Sequence, residues 1–376
     1  MSALDGIGKV LIVGGGTAGL TSAIALRRRG VDAEIVEANE QWTVLGSGVT
    51  IMGATYRALV SLGLAAEVVR RGAGGDQVGI FDAAGNQLDL VDVYKVAGPE
   101  YPGIGGITRR NMQEVLVAAA RAEDTPVRLG VRVETLTQHD GGVDVAFTDG
   151  TSGTYGLVIG ADGLHSQIRA AVFGDDPSPR YTGQVVWRAM VPRPPDDVVL
   201  GMWYGPRTKA GINAISDTEA YLFMTQPVTD FTRPPREEWP AILRGFLEDF
   251  SGPVAAIREG ITDPERVDWR ALQVILVPKP WHRGRVVLIG DAVHSTTPQL
   301  AMGAGLAIED SVVLADELGS RETLEEALTG FVERRFDRCK MVVDNSVQLG
   351  EWEQHPDDPD ADPGGLSGRS WAALAA

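Results

Sequence analysis

Short apolar runs bounded by glycine dominate the first part of the chain and return near its end. Lys9–Val13 is a run of buried-strand type, Leu20–Arg29 carries alanine and leucine at helical spacing up to Gly30, and Ala33–Val36 is a second strand closed by Glu37. Strand, glycine turn, helix and strand in that order predict a β-α-β unit and a parallel sheet. Leu157–Ile159 and Arg285–Ile289 repeat the buried-strand pattern. Thr55–Leu64, Arg109–Ala122, Leu306–Leu318 and Leu324–Leu349 read as helices, and Val127–Phe147 alternates as a hairpin turning at Gly141-Gly142.

The pattern changes between residues 179 and 272. Val185–Val191, Val198–Trp203, Gly211–Ile215 and Ala220–Thr225 predict a mostly antiparallel sheet, with a helix inside Pro235–Phe250. Between 74 and 106 glycine is dense and the strands are short. The simplest architecture is α/β. A discontinuous Rossmann-like nucleotide domain (1–73, 107–178 and 273–322) carries an inserted antiparallel-sheet domain (74–106 and 179–272) that would bind substrate. A C-terminal helix (323–350) and an acidic tail (351–376) follow, and Glu351–Asp362 holds six acids with no Lys or Arg, the composition of a solvated, loosely ordered segment.

Composition narrows the partners. At 376 residues, 44% hydrophobic and 23% charged, the chain has ordinary globular makeup with room for two domains. Fifty-one acids against 34 Lys and Arg give a formal charge of −17, which repels nucleic acid and anionic membranes. The run Arg27-Arg28-Arg29 ends a helix, where it complements the dipole. No apolar run reaches the roughly 20 residues of a membrane span, and the N-terminus shows no secretory pattern. The lone Cys339 has no internal disulfide partner. The expectation is a cytoplasmic monomer or homodimer with neither nucleic acid nor membrane as partner.

Three motifs carry chemistry. Gly14-x-Gly16-x-Ala18-Gly19 lies between strand and helix: the first glycine permits the tight turn, the second lets backbone approach a pyrophosphate, and the third lets helix and strand pack closely. Glu37, about 20 residues on, accepts hydrogen bonds from an unphosphorylated ribose. FAD and NAD fit this motif equally. The decision comes from Asp162-Gly163-x-x-Ser166-x-x-Arg169 and Gly290-Asp291, each at the carboxyl end of a buried strand, where an Asp points into a ligand crevice or caps a helix. The five histidines and Cys339 show no metal-ligand spacing, and Ser166 is not in a nucleophile elbow. His294 reads as a packing and hydrogen-bonding residue.

With these motifs in place, the sequence from Lys9 to Leu349 resembles the single-component FAD-dependent aromatic hydroxylases, the para-hydroxybenzoate hydroxylase-like flavoprotein monooxygenases. The resemblance implies that Gly14, Gly16, Ala18, Gly19 and Glu37 hold the adenosine half of FAD. It implies that the Asp162 motif lies near the pyrophosphate and affects reduced-nicotinamide binding, that Gly290 and Asp291 hold the ribityl chain, and that Arg109 contacts the cofactor. Pro298 and Gly303 match the family's loop beside the flavin ring. Ala301 and Met302 depart from its glycine and glutamine, and Ala38 replaces the arginine that usually follows the ribose-binding acid. Eight tryptophans contain no pair two residues apart, so the flavin-halogenase pattern is absent.

The implied reaction uses NADH or NADPH as a transient reductant, and O2, which adds at flavin C4a to give a hydroperoxide that hydroxylates a small aromatic or heteroaromatic substrate. Epoxidation, decarboxylative hydroxylation, Baeyer–Villiger oxidation and a non-catalytic flavin sensor are the alternatives. The pocket is expected between the inserted sheet and Pro298–Gly303, with Asn213, Tyr221 and Gln299 as polar contacts and Trp187, Trp203, Phe223 and Met224 as lining. No arginine falls at an evident pocket-facing position, so a carboxylate substrate is not implied.

Overall fold

Buried strands of four or five residues cannot cover themselves, and here they assemble into one six-stranded sheet. Its order is His282–Arg283, Val286–Leu288, Leu157–Gly160, Val10–Val13, Ala33–Glu37, Val127–Leu129. Every pairing is parallel except the outermost, His282–Arg283 against Val286–Leu288. The molecule was analysed as a computed structural model, which describes residues 2–42, 46–174, 176–195, 199–205, 208–229 and 232–376.

The glycine-turn helix, Thr17–Arg27, packs on this sheet and against Gly303–Ser320. Small residues set the contact: Ser311 Oγ meets Thr21 and Ser22 hydroxyls at 2.7 and 2.9 Å. The helix starts earlier than its apolar pattern, at Thr17, and ends before Gly30, which sits at φ +77°. Arg27, Arg28 and Arg29 are spent on local partners, Asp32, Glu123 and Asp316 respectively.

The second large sheet has seven strands in the order Val267–Val274, Arg180–Pro192, Glu219–Pro227, Lys209–Ala214, Gly201–Tyr204, Gln77–Asp82, Gln87–Asp92. It is antiparallel apart from the pairing of Gly201–Tyr204 with Gln77–Asp82. Val198, the expected start of one strand, lies outside the described residues. One face of this sheet is closed by its own core, in which Trp187, Trp203, Leu222 and Met224 pack with Trp239, Leu243 and Phe250 of the helical segment beyond residue 235. The other face is turned to the six-stranded sheet's side of the molecule and carries the cavity described below.

The C-terminal region departs from its expected looseness. The long helix runs Leu324–Gln354, into the acidic stretch, because a buried partner awaits Glu353. Glu353 forms an ion pair with Lys209 and accepts hydrogen bonds from Thr225 Oγ1 (2.9 Å) and Gln184 Nε2 (3.1 Å). Pro363–Ala375 is a further helix, and its terminal carbonyls accept from Arg57 and Arg338. Composition marked the acids correctly as solvent-facing on average; it could not mark the one that finds a lysine.

Candidate cofactor crevice and substrate cavity

The three motifs converge at the carboxyl end of the parallel strands. Gly14 takes φ +110°, and a Cβ there would lie 2.4 Å from the Ala161 carbonyl oxygen. A Cβ on Gly19 would meet the Gly14 carbonyl at 1.9 Å. Gly16 is different: nothing lies within 4 Å of where its Cβ would be, so its missing side chain leaves open space over the helix N-terminus. Glu37 reaches back across the turn, accepting from Gly15 N and Asn39 N at 2.8 Å each.

Gly290, at φ +60°, brings the second motif against the first; its Cβ would stand 3.0 Å from that of Ala18. Asp291 follows with an exposed side chain that makes no hydrogen bond to any described residue. The protein atoms crowding the crevice around it still desolvate the carboxyl and raise its pKa, with His294 and Arg109 acting the other way. Arg109 opens the helix Arg109–Ala122, which Thr108 caps. Its Nε is buried without a partner among the described residues. Burial, then the neighbouring Arg188 and Arg270, push the guanidinium down to about 10.

The Asp162 motif behaves otherwise. Asp162 accepts from Ser166 Oγ (2.5 Å), Gln167 N (2.7 Å) and Ile168 N (3.1 Å), so its carboxylate caps its own helix. Arg169 then donates to the Ala292 carbonyl at 2.7 Å. The motif is thus a clamp that ties one Asp turn to the other.

A layer that sequence reading did not assemble lies beneath Gly290. Asp310 accepts from Gly290 N (2.9 Å) and Arg335 Nε (2.7 Å), and pairs with His294 Nε2 (2.6 Å). Arg335 also reaches Glu309 at 2.7 Å. Burial alone would discharge His294; the Asp310 carboxylate, with Cys339, outweighs it and holds the imidazolium well above its ordinary pKa. The ligand atoms of His294, Asp310 and Cys339 lie within 4.8 Å of one another, but the Arg335 guanidinium already occupies the cation's place among them.

Next to this crevice a cavity of about 680 Å³ opens between the seven-stranded sheet and the loop Pro298–Ala301. Asn213, Tyr221 and Gln299 all line it. Tyr221 OH shares a hydrogen bond with Thr50 Oγ1, which also accepts from Asn213 Nδ2 at 2.9 Å. Phe223 lines the wall, but Trp187, Trp203 and Met224 do not; they face the opposite side. Strand periodicity decides this, since 221, 223 and 225 share one face and 222 and 224 the other. By the same parity Arg188 faces the cavity, where no arginine was expected, and Trp371 of the last helix lines it from across the loop. Ala301 adopts φ +55°, a region that favours glycine, in the loop where the family carries glycine. Met302 is fully buried against Thr55, and Gly303 starts the next helix in open surroundings.

A dinucleotide crevice beside a half-open cavity of mixed polar and apolar lining is the arrangement of a cofactor-dependent enzyme that acts on a small molecule. Comparison with known proteins agrees. The family described as FAD binding domain matches residues 8–346, and the chain belongs to that family, whose cofactor is FAD. It is 31% identical to aurachin C monooxygenase/isomerase of Stigmatella aurantiaca, over 92% of this chain and 90% of that protein. It is 30% identical to 2-heptyl-3-hydroxy-4(1H)-quinolone synthase of Pseudomonas aeruginosa, with the same coverage of both chains. The solved structure of Klebsiella pneumoniae HpxO with FAD and uric acid superposes with a TM-score of 0.83 at 26% identity, covering 98% of this chain and 92% of that one. The protein is an FAD-dependent monooxygenase of the aromatic hydroxylase type. No helix among the described residues is long and apolar enough to cross a membrane.

Proposed function

We propose that the protein oxygenates a flat aromatic or heteroaromatic small molecule bound in the 680 Å³ cavity. One observation carries the reading: Pro298, Gln299 and Ala301, which line the cavity, lie on the loop that follows the Asp291 turn of the crevice, and Arg109 feels both Asp291 in the crevice and Arg188 in the cavity wall. The named compounds of the relatives, a quinolone and uric acid, are flat heteroaromatic rings and support the same class.

The crevice fits FAD on two observations of its own: the orphaned Arg109 Nε and the open space at Gly16. Gly14, Gly16, Ala18 and Gly19 would take the pyrophosphate, Glu37 the adenosine ribose, and Asp291 the ribityl hydroxyls. Arg109, Pro298 and Gly303 would border the ring system, with Asp162 acting through its clamp on Ala292. When bound, FAD supplies hydride acceptance from NADH or NADPH and the activation of O2. The chain's own work is to position and to dry. Tyr221, Thr50 and Asn213 form a hydrogen-bonding row able to orient a ring hydroxyl or carbonyl, and Phe223 with Met202 gives it an apolar bed. The seven-stranded sheet is the substrate unit in this reading, and the protein a cytoplasmic monomer or homodimer.

Stopped-flow mixing of the yellow holoprotein with NADH and with NADPH, alone and with a panel of ring compounds, tests it. Ring-dependent acceleration of flavin reduction or turnover is expected. A flavin that neither coenzyme reduces, whichever ring is present, would point to a ligand sensor.

A further inference from the structure

The cavity wall carries hydrogen-bonding groups in two places. The first is the row of Thr50, Asn213 and Tyr221. The second lies further along the same strands. Lys209 shares the cavity face of the strand Lys209–Ala214 with Asn213, and Thr225 shares that of Glu219–Pro227 with Tyr221 and Phe223. Four residues of extended strand separate Lys209 from Asn213, about 13 Å between their Cα atoms. The wall between them is apolar. Phe223 and Met202 line it, and a Cβ on Gly211 would run into the Phe223 ring, so that ring lies over the glycine.

The second place is held from outside the sheet. Glu353, on the long C-terminal helix and beyond residue 346 where the family match ends, pairs with Lys209 through one oxygen. Its other oxygen accepts from Thr225 Oγ1, Gln184 Nε2 and Gln299 Nε2, the last at 3.3 Å. Burial opposes both charges, but each partner outweighs it for the other, raising the pKa of Lys209 and lowering that of Glu353. The pair is neutral as a unit, and an incoming anion would meet the Glu353 carboxylate. Gln299 Nε2 also donates to Gln184 Oε1 at 3.3 Å, which fixes the amide with its nitrogen toward these acceptors. Its oxygen is buried with no partner among the described residues. The Lys209 ammonium has three donors and, among the described residues, one polar contact, Glu353. A donor and an acceptor left over around one carboxylate suit a neutral group that both gives and takes a hydrogen bond, a hydroxyl or a carboxamide.

We propose that the cavity is a two-ended site: Lys209 and Gln299, positioned by Glu353, hold a hydroxyl or carboxamide at one end of a substrate whose other polar group sits on Thr50, Asn213 and Tyr221. The substrate is then an elongated molecule, two or more rings or a ring with a polar arm, lying across Phe223. A single ring with groups on opposite carbons covers about half the distance, and 680 Å³ is the volume of a pocket for a drug-sized ligand. The inference rests on the reading of the cavity as the ring site and adds to it a length and a second polar end.

The test uses the FAD-loaded protein at neutral pH and the change in flavin absorbance on titration with four uncharged probes. The long pair is 4-hydroxybiphenyl and 4,4′-dihydroxybiphenyl; the short pair is 4-methylphenol and 4-hydroxybenzyl alcohol. In each pair the second member adds one hydroxyl at the far end. In wild type that hydroxyl should tighten binding about tenfold or more in the long pair and less than about threefold in the short pair. Lys209→Met combined with Glu353→Gln removes both charges, so that neither is left alone in the wall, and should cut the long-pair gain to about twofold or less. If that variant fails to hold FAD, Gln299→Leu, which keeps the ion pair, should still cut the gain about threefold or more. A merely structural role would shift both long probes together and leave their ratio unchanged. No gain in the long pair, equal gains in both pairs, or a long-pair gain that survives in the variants overturns the proposal. Short probes that bind, or that speed NADH or NADPH oxidation, while the long pair shows no gain leave the ring-site reading standing without this inference. Silence of all four probes up to millimolar concentration overturns it too, and the coenzyme test above then decides the ring-site reading separately.

Discussion

The cofactor crevice and the ring cavity are joined by the chain that runs from the Asp291 turn to Pro298, yet they are built in opposite ways. The crevice is made of short motifs, each contiguous in sequence and held by backbone geometry: Gly14 and Gly19, whose Cβ positions are already filled, and an aspartate that follows a glycine at φ +60°. The cavity is made of alternate residues from strands far apart in the chain, together with Trp371 from the last helix. The first kind of site tolerates almost no substitution and so writes itself into a motif. The second needs only that one face of a sheet supply suitable side chains, and its chemistry can change while the fold stays.

The largest expected effect separates the support of the crevice from the crevice itself. Asp310→Ala would leave His294 and Arg335 buried without their carboxylate and should cost about 3–5 kcal/mol, read by urea unfolding. The pair also sets a pH signature. His294 has a raised pKa in the folded protein, so its contribution is complete below the ordinary value of 6.5 and is lost progressively as pH rises above it. Asp310 has a lowered pKa, so its contribution is complete above 3.8 and is lost as pH falls below. His294→Gln should therefore flatten the alkaline side of the stability profile above pH 6.5, and an unchanged slope would remove His294 from the account.

Parity in the sheet offers the next test. Met224→Ala empties a core position and should cost about 2–4 kcal/mol of stability while leaving ring binding nearly unchanged. Phe223→Ala, one residue earlier, should do the reverse, weakening ring binding about tenfold with the smaller loss of stability. If both variants behave alike, the two faces are not distinct. Asp291→Ala should raise the dissociation constant of FAD about tenfold to a hundredfold, measured by flavin fluorescence, with little change in unfolding of the apoprotein. The smallest effect belongs to Ala301. Glycine there relieves a left-handed residue, and Ala301→Gly should raise stability by about 1 kcal/mol, a shift of a few degrees in Tm.

These contrasts explain what was legible in the sequence. Gly14, Gly16, Gly19, Glu37 and Gly290 announce themselves because turn geometry and close approach admit so few residues. The two buried-strand runs after Leu157 and Arg285 predict the parallel sheet for a similar reason, since a strand covered on both faces must be apolar throughout. Asn213, Tyr221 and Gln299, expected from their strands and loop as polar contacts, line the cavity. Naming Phe223 and Met224 together was a failure of periodicity, because adjacent residues in a strand cannot share a face. Arg188 was missed for want of that same parity argument, which would have placed it opposite Trp187. Glu353 and Trp371 were beyond reach, because the long-range partners that order them are not encoded in the composition of an acidic tail.

The central claim is that a ring seated in the cavity receives oxygen from the adjoining crevice. Turnover of the holoprotein under 18O2 with a ring compound that accelerates NADH or NADPH oxidation, followed by mass spectrometry of the product, tests it most directly. The account predicts a product heavier by one labelled oxygen atom. Stoichiometric hydrogen peroxide with every responsive ring returned unlabelled and unchanged would contradict it.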